Sequence, residues 1–159
     1  MLKVSFKGNF KRVKRLCDNI IQVSLSGTMH IPEDLIIADS VYSYIGWKKR
    51  FGPCLRVYYD DRSKEVLIEV KGEAKRHPDD EDNVVIGERI AEARAKIKLY
   101  KFMYHLCEAL ANHYNRILNG FDIPLRKTYS SDSILEKRSF YQSLWIKESQ
   151  HLGKLLEES

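Results

Sequence analysis

From Ile86 onward, apolar and aromatic residues recur with unusual regularity. Ile86, Ile90, Ala93, Ile97, Tyr100, Tyr104, Cys107, Ala111, Tyr114 and Leu118 alternate four and three positions apart, a heptad seam. The spacing predicts one helix from about 83 to 118, roughly 50 Å long at 1.5 Å per residue. Asp82 or Asn83 caps it, and the acidic run 79–82 complements the positive end of its dipole. A second apolar row, Leu99, Phe102, Met103, Leu106, Leu110 and Ile117, runs only along the distal half and predicts that this half is buried on two sides. Asn119, Gly120 and Pro124 end the helix. A capping box, Ser133 to Glu136, then opens an amphipathic helix over 133–156 that carries Tyr141, Leu144, Trp145, Leu152 and Leu155. The two helices are expected to pair antiparallel, and any seam left uncovered would form a homo-oligomer interface.

Upstream the pattern shortens to strand period. Residues 54–60 and 64–71 are rich in β-branched and aromatic side chains, and Asp60-Asp61-Arg62-Ser63 between them is turn chemistry. Leu55, Val57 and Tyr59 share one face of the hairpin, as do Val66, Ile68 and Val70, while Arg56, Tyr58, Glu65 and Glu69 point away. Two strands alone are marginal, so further strands from residues 1–30 or a partner chain are required. Between Phe10 and Ile21, Val13, Leu16, Cys17 and Ile20 fall at three and four spacing, which predicts a short amphipathic helix, with a strand over Ile20 to Leu25 as the alternative. Pro32, Glu33 and Asp34 open a further helix over 32–45, which Gly46 closes. The expected class is α+β, an antiparallel hairpin or small sheet packed on a long helix. Residues 1–120 form the domain, 121–132 a linker and 133–159 a helical appendage.

Composition changes this picture little, and charge distribution changes it more. The chain has 159 residues, 43% hydrophobic and 31% charged, enough to bury a core without disulfides. No apolar run approaches the roughly 20 residues that span a bilayer. The N-terminus lacks the pattern of a secretory signal, and Cys17, Cys54 and Cys107 form no CxxC pair, so a cytoplasmic setting is expected. Net charge is +5, unevenly spread. Lys11, Arg12, Lys14 and Arg15 lie in a basic front segment, and Lys48, Lys49 and Arg50 form a second knot between Trp47 and Phe51. Both are candidates for nucleic-acid contact, set against the ordinary role of such residues in solvating a surface. Lys75, Arg76, Arg89, Arg94 and Lys98, with Lys96 and Lys101 nearby, cluster where a strand end meets the first turns of the long helix, a layout that suits a phosphate or an acidic partner. Glu88 and Glu92 compete for the same cations.

No constellation nominates an enzyme. His77-Pro78-Asp79-Asp80 is better explained as a turn into the helix than as a metal or acid–base site. His105 and His113 are eight positions apart and cannot clasp one ion as an HExxH helix does. Gly72 and Gly87 form no phosphate loop, and neither metal nor cofactor is expected.

The order Gly72-x-Ala74-Lys75-x-x-Pro78-x-Asp80, then Ile86-Gly87-x-x-Ile90-Ala91-x-Ala93-Arg94-Ala95, resembles a pattern in small bacteriophage and prophage proteins of uncharacterised function. It is also similar to actinobacterial proteins described as akin to double-stranded-RNA-binding domains. The resemblance covers about residues 65–105 and implies an antiparallel sheet packed on a helix. It departs at Arg76, where the phage pattern often has cysteine, and at Asp82, near which that pattern has an aromatic. The acidic helix start stands where an RNA-binding domain would present lysines. By class, the resemblance implies a non-catalytic inhibitor or sequestering protein in counter-defence, acting in a host cytoplasm on a nucleotide signal or an acidic host protein.

Overall fold

The computed structural model describes residues 5–17, 19–30, 55–60, 62, 65–75, 84–120 and 131–158. Four strands, β1 (Ser5–Cys17), β2 (Ile20–His30), β3 (Leu55–Asp60) and β4 (Glu65–Lys75), precede two helices, α1 (Val84–Gly120) and α2 (Ser131–Glu158). The strands form one antiparallel sheet in the order β1-β2-β4-β3. The fold is α+β in three layers: the sheet, then α1 across β2 and β4, then α2 on the far side of α1.

The hairpin of β3 and β4 and both C-terminal helices stand where the periodicity puts them. Residues 5–30 complete the sheet, as a lone hairpin requires. The helix expected over Phe10 to Ile21 is instead the end of β1 and the start of β2, joined through residues 18 and 19. The reason is long-range. Ile21, Val23 and Leu25 share a face because they pair with Ala74, Gly72 and Val70 of β4, and this is the face that α1 covers. Gln22, Ser24 and Ser26 fall on the other face, so β2 satisfies its backbone on both sides, which an isolated helix turn could not match. The helix expected over 32–45 and the basic knot at 48–50 lie outside the described residues.

Two rows of α1 side chains, on roughly opposite sides of the helix, build the core. Ala91, Ala95, Leu99, Phe102 and Leu106 turn toward the sheet, where Leu55, Val57, Ile68 and Val70 meet them, and all nine are buried. Ile90, Ala93, Tyr100, Tyr104, Cys107 and Ala111 lie along the flank next to α2. Leu155 of α2 clusters with Ile90 and Ala93, whereas Trp145 and Tyr141 sit at Tyr104 and Cys107, so the two helices run antiparallel. Burial on two sides therefore extends into the proximal half of α1, beyond the distal half that the large residues mark. Alanine, not leucine, lines that half because the sheet comes closer there. A Cβ on Gly72 would stand 2.1 Å from the carbonyl oxygen of Ala91 and 2.5 Å from the nitrogen of Ala95. The motif residues Gly72, Ala74, Ala91, Ala93 and Ala95 are therefore the sites where β4, α1 and α2 come together. From Ile90 to Ala111 the seam is covered within one chain.

Candidate functional site: Arg94 and Lys98 beside the end of β4

β3 pairs with β4 only as far as Val70, opposite Leu55, while β4 continues to Lys75. Beyond Val70, β4 has β2 alone as a strand neighbour among the described residues. Backbone carbonyls at this end of β4 take donors from α1. Arg94 Nη1 donates to the Glu73 carbonyl at 2.7 Å, and Lys98 Nζ to the Lys71 carbonyl at 2.9 Å. The match is geometric: a four-residue step along a helix, about 6 Å, equals a two-residue step along a strand, about 6.6 Å. Both acceptors are neutral, so the two cations are held in place with their charge intact. Lys101, three positions on, continues the row and places its Nζ 4.9 Å from the ring centroid of Trp145.

Of the residues expected to bind a ligand, the structure brings Arg94 and Lys98 together at this strand end. Lys75, exposed at the end of β4, lies on the strand face opposite to α1 with Lys71 and Glu73. Glu73 accepts a hydrogen bond from Gln22 Nε2 at 2.9 Å. Arg89, also exposed, is five positions before Arg94 and hence about 140° round the helix, on a different flank. Arg76 is outside the described residues. The backbone acceptors at residues 71 and 73 left no trace in the side-chain pattern. What could have found them is the parity of β4 combined with the i,i+4 spacing of Arg94 and Lys98.

The basic front segment forms β1, an edge strand among the described residues. Lys11 of β1 reaches α1, with Nζ 2.8 Å from Glu92 and 3.2 Å from Glu88, and Lys96 joins Glu92 at 3.5 Å. Its hydrogen bond to Glu92 raises the Lys11 pKa against the opposing effect of desolvation, and Glu88 adds to the rise. Burial alone would raise the Glu92 carboxyl, but Lys11 and Lys96 outweigh it and hold the group below its ordinary value. The Glu92 contribution is therefore present above pH 4.5, the ordinary carboxyl value, and fades as pH falls through the lower folded value. The Lys11 contribution is complete below pH 10.5 and fades as pH rises through the higher folded value. Lys11→Met is expected to lower stability by less than about 1 kcal/mol, since the lysine is largely exposed. In urea titrations across pH, the difference from wild type should be flat between those limits and shrink beyond each. Lys14 and Arg15 are exposed on the same strand; Arg12 also lies within β1.

Between α1 and α2 the polar groups serve packing. Burial pushes the Cys107 thiol up to about 12 despite the nearby charges of Lys137 and Arg138, which favours the protonated thiol at neutral pH. Desolvation likewise raises the hydroxyls of Tyr100 and Tyr141. Tyr104 lies 6.1 Å from Trp145 and 5.8 Å from the Arg138 guanidinium carbon. Among the described residues no three His, Cys, Asp or Glu side chains group as a metal site, and no helix is long and apolar enough to cross a membrane. His77 to Asp80 lie outside those residues.

The chain is similar to the Rv2632c-like family over residues 60–111, a segment that runs from the end of β3 through β4 to the buried Ala111 of α1. It contains the Gly72–Ala91 contact and the whole Arg94, Lys98, Lys101 row. No curated protein and no solved structure matches the chain.

Proposed function

We propose that the protein is a small non-catalytic binding protein that engages a phosphate-bearing or acidic partner where Arg94 and Lys98 of α1 meet the end of β4. The observation that carries this reading is the anchoring of Arg94 and Lys98 on neutral carbonyl oxygens instead of carboxylates. Their position is set before any partner arrives, which lowers the entropic cost of binding, and the groups they bond to carry no charge that would cancel theirs. Lys101 and Lys75 add charge near the same strand end. A role as inhibitor or sequestering protein, in the counter-defence setting that the Gly72 to Ala95 pattern suggests, follows if the partner is a nucleotide signal. Direct nucleic-acid binding through the front segment is less favoured, because Lys11 is already neutralised by Glu88 and Glu92.

A thermal-shift panel of cyclic nucleotides and NAD-derived signals tests the proposal. A stabilising ligand should bind roughly tenfold more weakly to Arg94→Ala and to Lys98→Ala, as expected for a lost hydrogen bond to a charged group. No shift at millimolar ligand, or a shift that both variants retain, would remove it.

A further inference from the structure

The opposite edge of the sheet supports a separate inference. β1 carries Lys7, Lys11, Arg12, Lys14 and Arg15 and no acidic residue. Register shifts lie between Gly8 and Phe10 and between Arg15 and Cys17, so the run from Phe10 to Arg15 pairs regularly with Ser26 to Ile21 of β2. Among the described residues β1 has β2 as its one strand neighbour, which leaves its outer backbone groups open to another strand. The Lys11 link to Glu88 and Glu92 ties this edge to α1 and holds it in place.

Charge and shape restrict what can pair there. A second copy of β1 would set cations against cations with no acid on either strand, and like charges across strands destabilise. Val13 shares the α1-facing side of the sheet with Val23 and Gly72, yet it is 45% exposed because α1 lies over β2 and β4 and leaves β1 uncovered. Lys14 falls on the opposite face, in the row of Gln22. We infer that β1 is a strand-addition site for an extended acidic peptide whose acids and aliphatic residues alternate. An acid would lie beside Lys14, an aliphatic residue would cover Val13, and backbone hydrogen bonds would supply the shared affinity.

The probe is an end-blocked octapeptide of alternating glutamate and valine. It should bind and slow deuterium exchange at β1 amides. The same peptide with alternate amides N-methylated, or with lysine for glutamate, should not. Lys14→Glu should weaken binding roughly tenfold by replacing an attractive cross-strand pair with a repulsive one, with an unchanged melting temperature showing that the variant folds. Absence of binding, equal binding of the N-methylated peptide, or protection of β1 by self-association without peptide would each overturn the inference. Arg94→Ala should leave peptide binding untouched, so this result and the ligand panel fail independently.

Discussion

Gly72→Ala is expected to lower stability by about 3 kcal/mol or more, near the upper end of what overpacking costs. An alanine in a strand interior would ordinarily gain about 0.5–1 kcal/mol over glycine through reduced chain entropy. Here the new methyl would stand 2.1 Å from the Ala91 carbonyl oxygen and 2.5 Å from the Ala95 nitrogen, and both are backbone atoms of α1. No side chain can swing away, so the helix must lift from the sheet and loosen the packing of Val23, Ala74 and Ala91 beside it. In a chain of this size the loss corresponds to a melting temperature lower by roughly 10 °C. Urea titration measures it, and a change below about 1 kcal/mol would mean that β4 and α1 do not touch at Gly72.

Phe102→Ala should cost about 3–5 kcal/mol, the range for an aromatic removed from a core. Among the described residues Phe102 is the largest fully buried side chain, and it belongs to the cluster in which α1 meets Leu55, Val57, Ile68 and Val70 of the sheet. Its removal takes away transfer free energy and leaves a cavity that strands on one side and α2 behind cannot both close. Phe102→Leu, which keeps most of the volume, should cost less than half as much. Because domains of this kind are stable by only about 5–15 kcal/mol, the alanine variant should sit near its unfolding transition at 37 °C. Equal effects of the two substitutions would show that the site collapses freely and is not packed as described.

Much of this architecture was readable, for reasons that differ by element. α1 and α2 follow from long apolar periodicity, which little besides a helix can satisfy, and the β3–β4 hairpin follows from its turn residues. β1 misled because an edge strand uncovered by a helix has no need to alternate apolar with polar: Lys11, Val13 and Arg15 share one face. The three-and-four spacing from Val13 to Ile20 arose from residues that belong to two different strands. Alternation in Ile21-Gln22-Val23-Ser24-Leu25-Ser26, after a two-residue Asp-Asn connection, was the better signal, and it favours a hairpin. At the candidate site, the cations were visible but their anchors were not, since Arg94 and Lys98 bond to main-chain oxygens whose direction depends on which strand lies alongside. The near approach of β4 to α1 was legible as the small residues Gly72, Ala91 and Ala95, although the same letters had suggested kinship before they suggested distance.

The position of α1 as the middle layer has a consequence for the newly made chain. The ribosome releases the sheet and α1 before α2, so the growing polypeptide passes through a stage at which Ile90, Ala93, Cys107 and Ala111 lack the cover that α2 gives them. Emergence of α2 ends that stage. The interval before it arrives is when the protein is most open to chaperones, to proteases and to its own kind.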